Sequence, residues 1–204
     1  MIITEIQEVT KAKVKVFIDY EFAFVLYKGE LRTYGICEEK KLTEDVYRTI
    51  IDVVLTKRAK LRSMHLLKSR DYTRYALSEK LRKDFYPEEV IEKAIAYVMS
   101  FGYVDDKRFA RAYISYAGKT KSRKQIECYL MQKGVAKSDI AGAFEELEEV
   151  DALQSEESLI QALLVKKHYK KESANREERR KIIGFLYRKG FSLDKIYKVV
   201  GESD

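Results

Sequence analysis

Asp105 and Asp106 stand side by side and run directly into Lys107 and Arg108, between the aromatic residues Tyr103 and Phe109. Two carboxylates against two cations is a grouping that acid–base catalysis, a metal ion or a phosphate can use. Adjacent residues point away from each other on a helix, so they do not form the facing pair that general acid–base work requires. The same residues have a structural use. With Asp105 as N-cap, Asp106, Lys107 and Arg108 fill the first turn of a helix and Val104 reaches Phe109 as a hydrophobic staple. Arg108 and Arg111 are then expected to face outward. Other chemistry-bearing residues are sparse. His65 and His168 have no histidine or cysteine at ligand spacing, and Cys37 and Cys128 have no nearby partner. Cys128, between Ile126 and Leu130, is expected to be a partly buried small residue, and His168 to face solvent. No phosphate loop, dinucleotide fingerprint, HExxH or GxSxG pattern occurs. The residues therefore name no catalytic or metal site and no cofactor, and a non-enzymatic role is expected.

Charge tells more than motif. Lys plus Arg number 40 against 33 acids, a net charge of +7, and 36% of the residues are charged. The excess is uneven. Residues 57–84 hold ten bases and three acids, residues 119–137 six and one, and residues 161–204 twelve and six. Residues 138–160 reverse the pattern, with eight acids and no base. Such blocks suit a basic face for a polyanion with an acidic patch elsewhere; the competing reading is a solvated helical surface. The N-terminal stretch MIITEIQEVTKAKVKV has neither an apolar signal core nor a membrane-spanning run, so a soluble cytoplasmic protein is expected.

The elements that carry these charges form a mainly α chain behind a small β segment. KVKVFIDYEFAFVLYKGELRTYGI alternates, with Val14, Val16 and Ile18 on one strand face and a turn at Lys28-Gly29 before a strand at Leu31–Tyr34. A hairpin or meander over 1–42, packed on the first helix, is expected. From Thr43, an N-cap, the pattern is helical, and Pro87 opens a helix with acids in its first turn. Three stretches then align without gaps: LSEKLRKDFYPEEVIEKAI (77–95), IECYLMQKGVAKSDIAGAF (126–144) and IIGFLYRKGFSLDKIYKVV (182–200). Each places an apolar residue (Leu77, Ile126, Ile182) four before a leucine (Leu81, Leu130, Leu186) and an isoleucine ten after it (Ile91, Ile140, Ile196). In the last two copies the break is Lys133-Gly134-Val135 and Lys189-Gly190-Phe191, where glycine suits the left-handed helix end. The first copy has Asp84-Phe85-Tyr86, so its turn is expected to close another way. Thr73 and Ser122 cap the middle helices. Ser138 with Asp139, and Ser192 with Asp194, precede the last ones. Longer helices at 57–70, 105–118 and 156–171 complete each unit. The expected fold is a set of tandem three-helix repeats in an elongated stack that is free to curve: a linking helix over 43–56, then repeats at 57–100, 101–150 and 151–204.

Stacked repeats can gather the cations into one surface. The candidate contacts are Arg70, Arg74, Arg82 and Lys83 in the first repeat, and Arg108, Arg111, Lys119, Lys121, Arg123 and Lys124 in the second. The third adds Lys166, Lys167, Lys170, Lys171, Arg176, Arg179, Arg180 and Lys181. Tyr72, Tyr75, Tyr113, Tyr116 and Tyr169 lie among them and either stack on bases or, more simply, fill small cores. A major-groove helix-turn-helix reader fits badly, because its second helix would carry Asp139, Glu145 and Glu146.

VDDKRFARAYI (104–114), RKQIECYLMQKGV (123–135) and FLYRKGFSLDKI (185–196), with the weaker LLKSRDYTRYALSEKL (66–81), resemble the RecX family of recombinase regulators over about residues 57–200. The resemblance implies three tandem three-helix units. It also implies a partner, the RecA protein and above all its filament on DNA, whose ATP hydrolysis and strand exchange the family inhibits, restraining recombination and the DNA-damage response. Members are thought to lodge in the filament groove, and some bind DNA themselves. Asp105, Asp106, Arg108, Phe109 and Ala110 look like signature positions of the family, and Lys133, Gly134, Arg188, Lys189, Gly190 and Phe191 like its repeated turns. Phe85 in the first glycine position and the strand-rich N-terminus depart from the pattern. A monomer that modulates RecA without catalysis is the expectation; the alternatives are a general DNA-binding helical protein acting without RecA, and a pure protein-interaction scaffold.

Overall fold

Alternation buries Val14, Val16 and Ile18 along one face of strand β2 (Lys13–Ile18). This strand is the centre of an antiparallel sheet ordered β1-β2-β3, with β1 spanning Ile3–Glu8 and β3 Glu21–Tyr27. The β2–β3 reversal falls on Asp19 and Tyr20, whose φ of +49° and +70° are the pair a tight two-residue hairpin turn needs. Lys28-Gly29 is not a hairpin turn, and among the described residues no strand follows it. Residues Lys28–Thr33 form a short helix, α1, because the Glu30 carboxylate reaches back to accept from the Tyr27 amide at 2.8 Å.

The sheet closes on one long helix. Thr43 caps α2 (Glu44–Arg48), which passes through a π-helical stretch, Thr49–Leu55, into α3 (Thr56–Leu67) with right-handed helical dihedrals at each junction. The expected boundary between a linking helix and a first repeat at residue 57 is therefore not a break in the chain. At the end of these wider turns the Ile51 carbonyl accepts from both the Thr56 amide and, at 2.9 Å, the Thr56 hydroxyl. Ile50, Ile51 and Leu55 join the sheet residues in one core.

Three helix triplets follow the aligned pattern. They are α3, α4 (Arg74–Lys83) and α5 (Glu88–Ser100); α6 (Asp106–Ala117), α7 (Arg123–Gln132) and α8 (Lys137–Glu149); and α9 (Glu156–Lys166), α10 (Arg176–Arg188) and α11 (Leu193–Val200). All nine aligned apolar residues, from Leu77 to Ile196, are buried. Thr73 and Ser122 cap α4 and α7 as their spacing predicts, accepting from Ala76 N at 3.1 Å and Gln125 N at 3.3 Å. Ser138 is not a cap: α8 starts one residue earlier, at Lys137, with Ala136 before it.

The first turn corrects a sequence expectation. Phe85 takes φ +65°, beside +79° at Gly134 and +86° at Gly190. The hydrogen bonds match too. Phe85 N donates to Arg82 O at 3.0 Å and Tyr86 N to Leu81 O at 3.2 Å, as Gly134 N does to Met131 O at 2.9 Å and Val135 N to Leu130 O at 3.1 Å. The turn closes the same way with a side chain present, and the ring packs edge-on to Phe22 while Lys15 Nζ sits 4.3 Å from its centroid. Helix α9 ends at Lys166, short of the expected residue 171, because His168 adopts φ +53° and Tyr169 N turns back to Leu164 O at 3.0 Å. Cys128 is exposed. Ile126 and Leu130, four apart, share the buried face, and the residue midway between them points the other way.

The structure is a computed structural model that describes residues 1–150 and 152–201. It comprises two units, Met1–Asp105 and Asp106–Asp204. The first has one core joining the sheet, the long helix, α4, α5 and Val104. The second has a core for each of its repeats, with Phe109 packed against the first of these and Ala110 within it. The two members of the expected staple thus serve different cores.

Candidate nucleic-acid interface

Each cation's worth as a phosphate contact depends on what already holds it. In the first unit, Arg82 is committed: its guanidinium pairs with Glu79 and, at 2.8 Å, with Glu88. Arg70 lies over Tyr72 at 4.7 Å, and Arg74 begins α4. Lys83 is exposed and carries no ion pair.

In the second repeat the sequence-predicted cluster divides. Arg123 is bound on every side. Its guanidinium contacts Glu127 at 2.9 Å and Glu148 at 2.7 Å and lies 4.2 Å from the Phe144 centroid. Its amide donates to Glu156 at 2.9 Å, and that same carboxylate holds Lys195 at 2.8 Å. Next to it the buried Ser122 hydroxyl donates to Lys189 O at 2.6 Å, across the two repeats of this unit. Arg123 is thus part of a joint in which the start of α7 receives the turn after α10. Gly190 fits there because a Cβ would stand 2.8 Å from Ser122 Oγ. Sequence reading missed this use because its partners, Glu148, Glu156 and Lys189, are 25 to 67 positions away.

Lys119, Lys121 and Lys124 are different. Lys119 and Lys124 are exposed without ion pairs. Lys121 donates to the Tyr113 hydroxyl at 2.8 Å, and this hydrogen bond holds its ammonium above the usual lysine range. Tyr113 stacks on Tyr129 with centroids 4.2 Å apart and planes 18° from parallel. Lys121 lies 5.4 and 5.6 Å from the two ring centroids, and Lys133 5.3 Å from Tyr129. With Tyr116 exposed beside them, this is an aromatic pair ringed by ammonium groups, suited to backbone phosphates and to base faces. The acids of the expected repelling patch are themselves engaged. Glu146 takes Lys107 and, at 3.9 Å, Arg111, so Arg111 is not left facing outward alone; the Lys107 ammonium holds the Glu146 carboxyl below its ordinary range.

The third repeat exposes the most cations. Lys166, Lys170, Lys171, Arg176 and Arg180 carry no ion pair, and Lys167 sits 5.1 Å from the Phe185 centroid. Lys181 pairs with Glu177 at 2.6 Å on the open surface, where such a pair holds weakly, and Arg179 is half-buried. The structural positions of the signature behave as framework. Asp106 starts α6, Lys133 and Lys189 end their helices, and Phe191 is buried. Among the described residues no group of three or more His, Cys, Asp or Glu could hold a metal ion, and no helix is long and apolar enough to cross a membrane.

Three family profiles match the chain: the first three-helix domain of RecX over residues 59–97, the second over 105–143 and the third over 155–200. A regulatory protein RecX from Clostridium botulinum is 30% identical over 98% of this chain and 93% of its own length. One from Caldanaerobacter subterraneus subsp. tengcongensis is 29% identical over 98% of both. A crystal structure of regulatory protein RecX superposes with a TM-score of 0.64 over 99% of each chain at 23% identity, a likeness of fold. The repeated turns, the aligned cores and these matches place the chain in the RecX family of regulatory proteins.

Proposed function

We propose that the protein binds RecA and the RecA–DNA filament as a non-catalytic negative modulator, lowering ATP hydrolysis and strand exchange and so regulating recombination and DNA repair in the cytoplasm. Membership of the RecX family supports the partner. The observation that carries the mode of binding is the division of the cations. Arg82 and Arg123 hold the framework together, while Lys121 lies on the Tyr113–Tyr129 pair, Lys119 and Lys124 are exposed, and Lys166, Lys170, Lys171, Arg176 and Arg180 crowd one repeat without carboxylate partners. Exposed cations without carboxylate partners leave a positive potential that a polyanion can meet, and nucleoprotein is one. Occupancy then acts sterically, opposing subunit addition and DNA pairing, and needs no catalytic group. The protein acts as a monomer.

Equilibrium binding of the full chain to RecA-coated single-stranded DNA, bare single strands and duplex, across a salt series, tests this. Clear preference for the coated strand with a salt-dependent affinity is expected. Equal affinity for bare and coated DNA replaces the proposal with DNA binding independent of RecA, and salt-independent binding replaces it with a pure protein scaffold.

A further inference from the structure

The end of α5 and the turn after it carry aromatic residues that the turn itself does not require. Val98 and Val104 are buried and fix the two ends of the segment in the core of the first unit. Between them Gly102 takes φ +68°, its amide donates to Met99 O at 2.8 Å, and Tyr103 N donates to Val98 O at 3.0 Å. The second repeat closes its last helix without aromatics. Ala152 N donates to Leu147 O at 3.0 Å, and Val150 and Ala152 occupy the positions aligned with Phe101 and Tyr103.

In the first repeat the rings form a surface. The Phe101 centroid lies 5.9 Å from that of Tyr103 with the planes 20° apart, and Tyr97 meets Phe101 edge-on at 5.0 Å. Phe101 is 58% exposed and Tyr103 47%. Among the described residues no cation covers either ring.

The charge alongside has one sign. Helix α5 packs along α3, whose twelve residues include no carboxylate. Arg58 and Arg62 of α3 are held by Glu30 and Asp84. Lys57 and Lys60, one turn apart, carry no ion pair among the described residues, and Lys60 Nζ lies 4.5 Å from the Tyr97 centroid. At the position aligned with Tyr97 the second repeat has Glu146, which binds Lys107 and Arg111 of α6. The first repeat thus sets a ring where the second sets a carboxylate, and its lysines remain available to an anion.

We propose that this face of the first unit binds an unpaired DNA strand, with a base stacked on Phe101 and Tyr103 and the flanking phosphates against Lys60 and Lys57. Open aromatic faces beside unneutralised cations match a polymer of flat bases and phosphates, and a duplex offers no free base face. That the strand is DNA rests on the function proposed above; the platform itself lies outside the cations assigned there.

Fluorescence anisotropy of the full chain with a labelled oligothymidylate and with an abasic strand of equal length is the test. The oligothymidylate is expected to bind at least about fivefold more tightly, the worth of one stacked base. Phe101→Ala should remove that advantage and leave the abasic strand unchanged. Phe101→Tyr should keep it, and Phe101→Leu, apolar without a flat face, should lose it. Lys60→Gln should weaken both strands and lower the slope of log affinity against log salt by about 0.7. Thermal melts check that each variant is folded. Equal affinities for the two strands, or oligothymidylate binding indifferent to Phe101→Ala, overturn the inference. Phe101→Ala that spares the bare strand and weakens only RecA-coated DNA also overturns it, and makes the patch a protein anchor. If the rings govern oligothymidylate binding while bare and coated strands bind equally, the platform stands and the filament reading falls.

Discussion

Substituting Gly190 by alanine asks whether the joint in the second unit is a lock or a loose contact. Gly190 has φ +86°, where an L side chain costs about 1–2 kcal/mol. The new Cβ would lie 2.8 Å from Ser122 Oγ and 3.2 Å from Lys124 Cβ, so the turn must withdraw from α7. Withdrawal stretches the 2.6 Å hydrogen bond from Ser122 to Lys189 O, and a buried hydroxyl left unpaired costs a further 1–3 kcal/mol, roughly. The total is about 2–5 kcal/mol of destabilisation in the second unit. Ser122→Ala removes both the helix cap and the obstructing oxygen. In that background Gly190→Ala should cost only its backbone strain, about 1–2 kcal/mol, giving a coupling of about 1–3 kcal/mol in a double-mutant cycle. The assay is hydrogen exchange at the α7 and α10 amides, which reports this unit without assuming that the whole chain unfolds in one step. Additive effects, or a Gly190→Ala cost below about 0.5 kcal/mol, would refute the lock.

Adjacent cations should separate in the same way. Arg123→Glu is expected to lower the stability of the second unit by about 1 kcal/mol, because it loses two half-exposed ion pairs and sets a carboxylate against Glu127 and Glu148; thermal melts read this. Lys124→Glu, on an exposed residue, should leave the melt unchanged while reducing filament affinity and the slope of log affinity against log salt by about 1, measured in the same salt series. Phe85→Gly gains about 1 kcal/mol from its relaxed backbone and loses the ring's contacts with Phe22 and Lys15, each worth about 0.5–1 kcal/mol, so a net change within about 1 kcal/mol is expected by denaturant unfolding. Burial pushes the Tyr86 phenol up to about 12 from 10.0. Its folded form holds the proton more tightly, so its contribution is intact below pH 10 and is lost as pH rises through about 12; Tyr86→Phe should flatten stability across that window.

What the sequence made legible was what repeats in it. Leucine and isoleucine at fixed offsets identified the three helix triplets, and Lys-Gly-apolar identified two of their turns, because burial and positive φ each demand particular residue types. Phe85 escaped because nothing in an isolated phenylalanine announces a left-handed backbone; the signal was its alignment with Gly134 and Gly190, which the side chain's identity argued against. The π-helical stretch and α1 escaped for a related reason. Each carries a local side-chain hydrogen bond, from the Thr56 hydroxyl to Ile51 O or from the Tyr27 amide to the Glu30 carboxylate, that propensity does not encode.

The candidate site was legible as charge and illegible as use. Arg123 and Lys124 are neighbours of the same sign, yet one closes a joint between helices and the other meets solvent. The difference lies in carboxylates that folding brings from far along the chain, Glu148 and Glu156 above all. A block of lysine and arginine in a repeat protein is therefore two populations. The cations held by acids of their own repeat brace its helices, and only the remainder is available to a partner. The acidic stretch at 138–160, read alone as a patch that repels polyanions, supplies several of those inward partners. Its effect on nucleic acid is then indirect. By taking Lys107, Arg111, Arg123 and Lys195 into ion pairs, it leaves Lys119, Lys121 and Lys124 among the cations of the second unit without carboxylate partners, Lys121 against the stacked tyrosines, and on that division the proposed filament contact rests.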